Sequence, residues 1–303
     1  MVIDAHGHLG DILYPGGGEL IWQKGVVKAK VVDPQDINEK LLMRNFGIGK
    51  FLYTLSKRQA TIGQRARNAT ATLENFTRSL DQSGVDAAVC LPIAPHVTFE
   101  DLAGAQSFDS RIIAFTSVDF SSGDSPWLKL PKDVSRGACG LKLHPIIQKV
   151  PLTDRRTLET LQTWAPFNKP VLAHAGIAKY YLDGESDRNR PELGALDQVE
   201  EIVRTFPRMP FIVGHAGLFH VNETIRRLCN LPNVWVDTSF QSPGIIRKLI
   251  AAFGPEKVLY ASDWPWGNRE PHIRSVKAAC RGDRALEDLI FRVNAAGLLK
   301  LET

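Results

Sequence analysis

Val2-Ile3-Asp4-Ala5-His6-Gly7-His8 reads as a short β-strand that runs out into two histidines. Side chains alternate across a strand, so this pattern places Asp4, His6 and His8 on one face. Two imidazoles at i and i+2 can reach one metal ion through neutral nitrogens. The same pair is equally consistent with two ordinary histidines near a chain end. The rest of the sequence decides between the two.

From Asp86 onward, short β-branched runs alternate with amphipathic stretches, the βα rhythm of a parallel sheet. Strands are expected at 2–5, 87–93, 112–118, 139–144, 170–174, 211–215, 234–238 and 258–263. Helices are expected at 71–82, 154–164, 193–205, 222–229, 243–252, 273–281 and 284–299. Gly84, Pro170, Pro210, Pro232 and Gly254 mark junctions between them. Eight such units in 303 residues fit one domain, 1–303, folded as a distorted (β/α)8 TIM barrel. A doubly wound open sheet would use the same strands.

Segment 9–70 breaks the rhythm with Gly16-Gly17-Gly18, many Lys and Arg, and few periodic apolar positions before Leu41. As a long insertion after strand 1 it is expected to hang over the barrel mouth as a lid that contacts substrate. Arg65 and Arg67 are its candidates for gripping a carboxylate. The competing expectation is a solvated excursion with some helix near 36–43.

Composition narrows the class. A 44% hydrophobic and 23% charged chain is that of a soluble globular protein. No apolar run approaches the roughly 20 residues of a membrane span, and no basic-then-apolar leader opens the chain, so the expected location is cytoplasmic. Cys90, Cys139, Cys229 and Cys280 form no CxxC pair and are expected to be reduced and mostly buried. A net charge of +4 is too small and dispersed for nucleic acid. The expected partner is a small molecule, with neither nucleic acid nor membrane, and homo-oligomers stay compatible.

Ligand-type residues fall at the ends of the expected strands. His174 closes Val171-Leu172-Ala173-His174, His215 closes Ile212-Val213-Gly214-His215, and Asp263 follows Val258-Leu259-Tyr260-Ala261-Ser262. One buried histidine is easily satisfied by a single hydrogen bond. Nitrogen or carboxylate donors at four strand ends, converging at one barrel mouth, make a metal-site constellation with His6 and His8. The glycine in each His-Ala-Gly run leaves room where the chain turns out of the barrel. In Gly140-Leu141-Lys142-Leu143-His144-Pro145, parity puts Lys142 and His144 on one face. A buried lysine needs a reason. It can pair with a carboxylate, bind an anionic substrate group, or be carboxylated and bridge two metals. Trp264 and Trp266 flank Pro265 beyond the aspartate; the pair is expected to form an apolar wall for a planar substrate or to pack the barrel rim. His96, His220 and His272 are expected to be surface histidines.

With these residues in view, the chain resembles the amidohydrolase superfamily. The resemblance runs through Asp4-x-His6-x-His8, Gly-x-Lys142-Leu-His144-Pro, His174, His215, Ser262-Asp263-Trp264-Pro265 and Asn294-Ala295-x-x-Leu298-x-x-Leu301. The last element looks like the terminal helix of the amidohydrolase-2 branch, similar to aminocarboxymuconate-semialdehyde decarboxylase and related hydrolases. The resemblance implies a divalent metal, commonly zinc, held by His6, His8, His174 and Asp263. It implies one metal with His215 beside its water, or two metals with His215 as a ligand and Lys142 as a carbamate bridge. Its departure from the family is the long 9–70 segment.

The expected activity is metal-dependent hydrolysis of a small carboxylate-bearing or cyclic substrate. Asp263 would move the proton, His215 would orient water or steady developing charge, and Lys142, His144 and Trp264 would contact substrate. Asp4 is a candidate acceptor that fixes an imidazole tautomer. The alternative is decarboxylation of an unsaturated or aromatic acid at the same metal. A barrel that binds a ligand without catalysis is the minor one.

Overall fold

A computed structural model describes residues 1–44, 48–123 and 125–301. Among the described residues there are eight parallel strands: β1 (Ile3–Gly7), β2 (Ala87–Cys90), β3 (Ile112–Ala114), β4 (Leu141–Leu143), β5 (Val171–Ala173), β6 (Phe211–Val213), β7 (Val234–Asp237) and β8 (Val258–Leu259). Continuous ladders join β1 to β3 and β4 to β8. Single bridges close the ring, Thr116 to Leu141 and Gly7 to Trp264. Ala5 N donates to Tyr260 O at 2.9 Å and Asp263 N to His6 O at 2.8 Å, so β1 and the end of β8 are fastened together. The fold is the expected (β/α)8 barrel.

Its layers follow from residue type. Ile3, Ala5, Val89, Ile113, Phe115, Leu172, Ile212 and Leu259 form one apolar cluster inside the ring. The helix Asn294–Leu299 joins it through Ala295, Ala296 and Leu299 and stoppers that end. A larger cluster fills the space between sheet and helices. Polar groups therefore collect at the opposite, C-terminal mouth.

One irregularity changes the expected facing of β1. Ile3 and Asp4 pair with Ala87 and Ala88, but Gly7 pairs with Cys90, so three steps on β1 match two on β2. This β-bulge resets parity between Asp4 and Gly7. His6 and His8 face the barrel mouth, whereas Asp4 faces the helix layer. There its carboxylate accepts from Ser262 Oγ at 2.5 Å and pairs with Arg269 Nε at 3.0 Å. Asp4 therefore does not serve as an imidazole's acceptor.

Among its described residues, the 9–70 segment carries three helical elements joined by turns and irregular chain. A 3-10 turn spans Gly17–Trp22, and helix α1 spans Pro34–Lys40 behind the N-cap of Asp33. Helix α2 spans Gly49–Asn68. Residues 45–47 of the segment lie outside the described residues. Helices Phe99–Phe108 and Pro126–Ser135 are also not apparent from periodicity. The first starts with a Thr98–Asp101 capping box. The expected terminal helix is three pieces, with a π turn at Leu289–Val293 between Arg284–Asp288 and Asn294–Leu299. All four cysteines are free. Among the described residues, no helix is long and apolar enough to cross a membrane.

Arg67 holds α2 down. Its guanidinium meets Asp33 at 2.6 Å, Asp36 at 2.6 Å, Glu39 at 3.0 Å and the Trp266 carbonyl at 3.3 Å. It is thus a structural clasp and not a free carboxylate grip. Burial alone would raise the Asp33 carboxyl, but Arg67 and Lys28 hold it below its ordinary value. The clasp contributes stability above about pH 4 and loses it as the pH falls through that lowered pKa. Arg67→Met strands buried carboxylates, although Lys28 and Asn268 still serve two of them. We expect about 2 kcal/mol of destabilisation in urea unfolding at pH 7, with the gap to wild type shrinking at pH 3.

Candidate metal centre

Each donor is carried to the mouth by a strand end. His6 and His8 come from β1, Lys142 and His144 from β4, His174 from just beyond β5, and His215 from beyond β6. Asp237 ends β7, and Asp263 lies beyond β8. All but Asp237 line one cavity of about 50 Å3, together with Tyr180, Phe240 and Trp266. Two donors, His215 and Asp263, sit on backbone that few residues adopt, and so do two neighbours of His215. His215, Ala216 and Leu218 have φ of 56, 45 and 55°, and Asp263 has φ of 57°. Left-handed backbone at four non-glycine residues costs energy and is concentrated where side chains must be aimed. The matching glycines interlock: a Cβ on Gly176, at φ 99°, would lie 2.6 Å from the Gly217 carbonyl oxygen.

Hydrogen bonds fix the imidazole tautomers. His6 Nδ1 lies 2.8 Å from Asp237 Oδ2, an acceptor, so it carries the proton and Nε2 is bare. His8 Nδ1 donates to the Leu91 carbonyl at 2.7 Å, which bares its Nε2 as well. Both Nε2 atoms lie 3.4 Å from Asp263 Oδ1. That oxygen is buried and has no hydrogen-bond partner among the described residues. Two unprotonated ring nitrogens and a carboxylate oxygen thus converge. A divalent cation answers that arrangement, and nitrogen and carboxylate donors are those that zinc accepts. His6, His215 and Asp263 each offer a donor atom within 4.8 Å of the others.

The charge state agrees. Burial drives His6 and His8 well below the ordinary imidazole value, and Lys142 reinforces it. His174 falls to about 3 for the same reasons. All are neutral, the form that ligates. Burial pushes Asp263 well up, against the pull of Lys142. Lys142 itself is lowered by burial to about 8, with Asp263 and Asp237 opposing.

A family model described as Amidohydrolase matches residues 3–301. The chain belongs to the amidohydrolase family. A search of curated proteins gave no match. Among solved structures, 2,6-dihydroxybenzoate decarboxylase from Rhizobium is 14% identical, with a TM-score of 0.66 and coverage of 100% of this chain and 99% of that one. The 5-carboxyvanillate decarboxylase from Novosphingobium aromaticivorans, complexed with manganese and a nitrobenzoic acid, is 15% identical, at TM-score 0.65 over 99% and 96%. A probable 2-pyrone-4,6-dicarboxylic acid hydrolase from Acinetobacter baumannii is 15% identical, at 0.59 over 99% of both chains. At these identities the likeness speaks for the fold.

In this amidohydrolase the anticipated site residues fall into two groups. His6, His8, Asp263 and His215 come together as described. His174 stands further back: its Nε2 donates to Gly176 O at 3.2 Å, its ring stacks on His144 at 4.1 Å, and its buried Nδ1 has no partner among the described residues. Lys142 Nζ lies 3.5 Å from His6 Nε2 and pairs directly with no carboxylate among the described residues. His144 accepts from Ile147 N at Nδ1, so its Nε2 donates to the Tyr180 oxygen at 3.2 Å.

Trp264 is not a cavity wall. It packs edge-on to Phe76 at 5.2 Å and beside Arg269, and of the two expected tryptophans only Trp266 lines the cavity. His272 is buried rather than superficial, accepting from Phe240 N and donating to Asn268 O. Asp237 escapes the sequence reading, as does Ser239. Asp237 Oδ1 accepts from Ser239 Oγ, and Ser239 in turn accepts from His215 Nδ1 at 2.7 Å. One carboxylate thus sets both His6 and His215. The available signal is an aspartate at the end of an expected strand, the same signal that marks Asp263.

Proposed function

We propose that this amidohydrolase is a metal-dependent enzyme that hydrolyses a small carboxylate-bearing or cyclic substrate at this centre. The observation that carries the reading is the bare, buried Asp263 Oδ1 facing the bare Nε2 atoms of His6 and His8. These three would hold the ion, zinc being our assignment, with His174 and its free Nδ1 as the further ligand. A second ion would use His215 and carboxylated Lys142. When bound, the cation supplies Lewis acidity, polarising a substrate oxygen and acidifying water.

The chain's own groups do the rest. Asp263, with its carboxyl raised by burial, accepts a proton from the attacking water and returns it to the leaving group. His215, tied at Nδ1 through Ser239 to Asp237, keeps Nε2 as its proton acceptor. Lys142 is the only cationic side chain lining the cavity among the described residues, and it offers a carboxylate its counter-charge.

Decarboxylation at the same centre is the second reading. It is favoured by the small cavity walled by Ile12, Leu218, Phe240 and Trp266, which suits a planar acid. It is favoured also by the decarboxylases among the fold relatives. Turnover in H2(18)O separates the two. A panel of lactones and aromatic acids is incubated with protein reloaded with zinc or manganese after chelation. Incorporation of solvent oxygen into product supports hydrolysis, and carbon dioxide release without incorporation supports the lyase. Metal-independent turnover, or no metal uptake by the purified chain, would overturn both.

A further inference from the structure

Tyr180, in the loop beyond β5, carries a hydroxyl whose proton has no taker among the described residues. The residue is buried and lines the cavity together with Asp263 and Trp266. Neighbouring tyrosines spend their protons within the protein: Tyr181 donates to the Leu13 carbonyl at 3.1 Å and Tyr14 to Glu185 at 2.7 Å. The state of Tyr180 is set by His144. Burial holds that imidazole well below its ordinary value, so the ring is neutral and carries one proton. The Ile147 N–H reaches Nδ1 at 3.3 Å, which makes Nδ1 the bare nitrogen. Nε2 therefore holds the proton and donates it to the Tyr180 oxygen at 3.2 Å. Turning the ring over would set carbon atoms against both partners, so this orientation is fixed from two sides.

With its oxygen already accepting, Tyr180 has its own proton left to give. A buried donor left unpaired is costly, and the cavity that Tyr180 lines is where an acceptor can stand. The ring is held in place, edge-on to His144 at 5.5 Å and edge-on to Trp266 at 5.6 Å. Burial, and next the Asp263 carboxylate, push the phenol well above its ordinary value. Tyr180 thus stays protonated and is a donor, not a base. His144 also lines the cavity, but both its nitrogens are engaged. It acts through Tyr180.

We propose that Tyr180 is the hydrogen-bond donor to the substrate oxygen on which negative charge gathers as water adds to the carbonyl carbon, with His144 as its positioning residue. The carbonyl π pair moves onto that oxygen, and Tyr180 keeps its proton while sharing a hydrogen bond with the oxyanion. Strand β4 thereby serves one centre in two ways, Lys142 directly and His144 through a tyrosine. This rests on the reading of the cavity floor as a metal centre.

Titration calorimetry on the zinc-loaded full chain tests it with two small probes. Methylphosphonate is a tetrahedral oxyanion, whereas ethanethiol offers a sulfur that zinc takes readily and a hydroxyl serves poorly. In Tyr180→Phe, methylphosphonate affinity should fall about tenfold while ethanethiol affinity stays within about twofold. His144→Ala should weaken methylphosphonate about threefold in the wild-type background and leave it unchanged in Tyr180→Phe. His144→Gln, which keeps an N–H for the tyrosine oxygen, should recover part of that loss. Zinc content measured on each variant verifies that the floor is intact. Unaltered methylphosphonate affinity in Tyr180→Phe, or an equal loss for both probes, would overturn the donor role while leaving the metal centre in place. A full His144→Ala effect on top of Tyr180→Phe would overturn the positioning role. Failure of either probe to bind the zinc-loaded wild type, or binding that ignores removal of zinc, would overturn the floor reading and the donor with it.

Discussion

Asp263→Asn should fold like the wild type, lose its grip on metal, and turn over at least about a thousandfold more slowly. The backbone tolerates the change, because asparagine is at home in the left-handed region that Asp263 occupies at φ 57°. The chemistry does not. Asp263 Oδ1 faces two bare Nε2 atoms at 3.4 Å. An asparagine amide can turn its N–H groups toward them and satisfy by hydrogen bonds what the cation would satisfy by charge. The change also removes the only carboxylate that lines the cavity among the described residues. The expected signature is therefore an unchanged or higher melting temperature in the absence of metal, together with weaker metal binding and lost turnover. Wild-type turnover in an Asp263→Asn protein shown to carry metal would sink the assignment of Asp263.

Asp237→Ala is expected to weaken metal binding by about 10- to 100-fold without touching a single atom that faces the ion. Asp237 Oδ2 holds the His6 Nδ1 proton at 2.8 Å, and its Oδ1 anchors Ser239, which holds His215. Without it, His6 can place its proton on Nε2, the atom the metal needs bare, and His215 is free to turn. Asp237→Asn should sit between wild type and alanine, since its amide oxygen can still accept one proton but its amide nitrogen cannot. Competition against a chelator of known affinity reads the effect directly. Equal metal affinity in wild type and Asp237→Ala would show that His6 is oriented by something else.

The barrel and most of the centre are legible in the sequence because they depend on residue type and order along the chain. An apolar run ending in His or Asp is visible wherever it occurs, and His6, His8, His215 and Asp263 all stand out that way. The features that stay hidden depend on geometry that residue type does not encode. The bulge in β1 adds one residue to a count that assumes strict alternation, so parity groups Asp4 with the histidines although it lies with Arg269. The left-handed turn at Asp263 lies directly before the two tryptophans, and of these Trp266 lines the cavity while Trp264 packs on Phe76. Helix α2 hides because its large apolar residues Phe51, Leu52 and Leu55 face solvent, so no core-facing stripe announces it. Its contribution to the cavity is a glutamine, which no pattern singles out.

The same bulge gives β1 two anchorages on opposite sides of one short strand. On one side Asp4 is riveted to Ser262 and Arg269 in the outer shell, and on the other His6 and His8 present their nitrogens to the mouth. Only a short stretch of chain separates these fastenings, so neither can come loose alone. An ion held by the histidines would then brace the seam between the first and last strands, where one bridge and a few backbone hydrogen bonds close the ring. Metal occupancy in such a barrel is felt as resistance to unfolding of the whole chain, and the site doubles as the clasp of the ring it sits in.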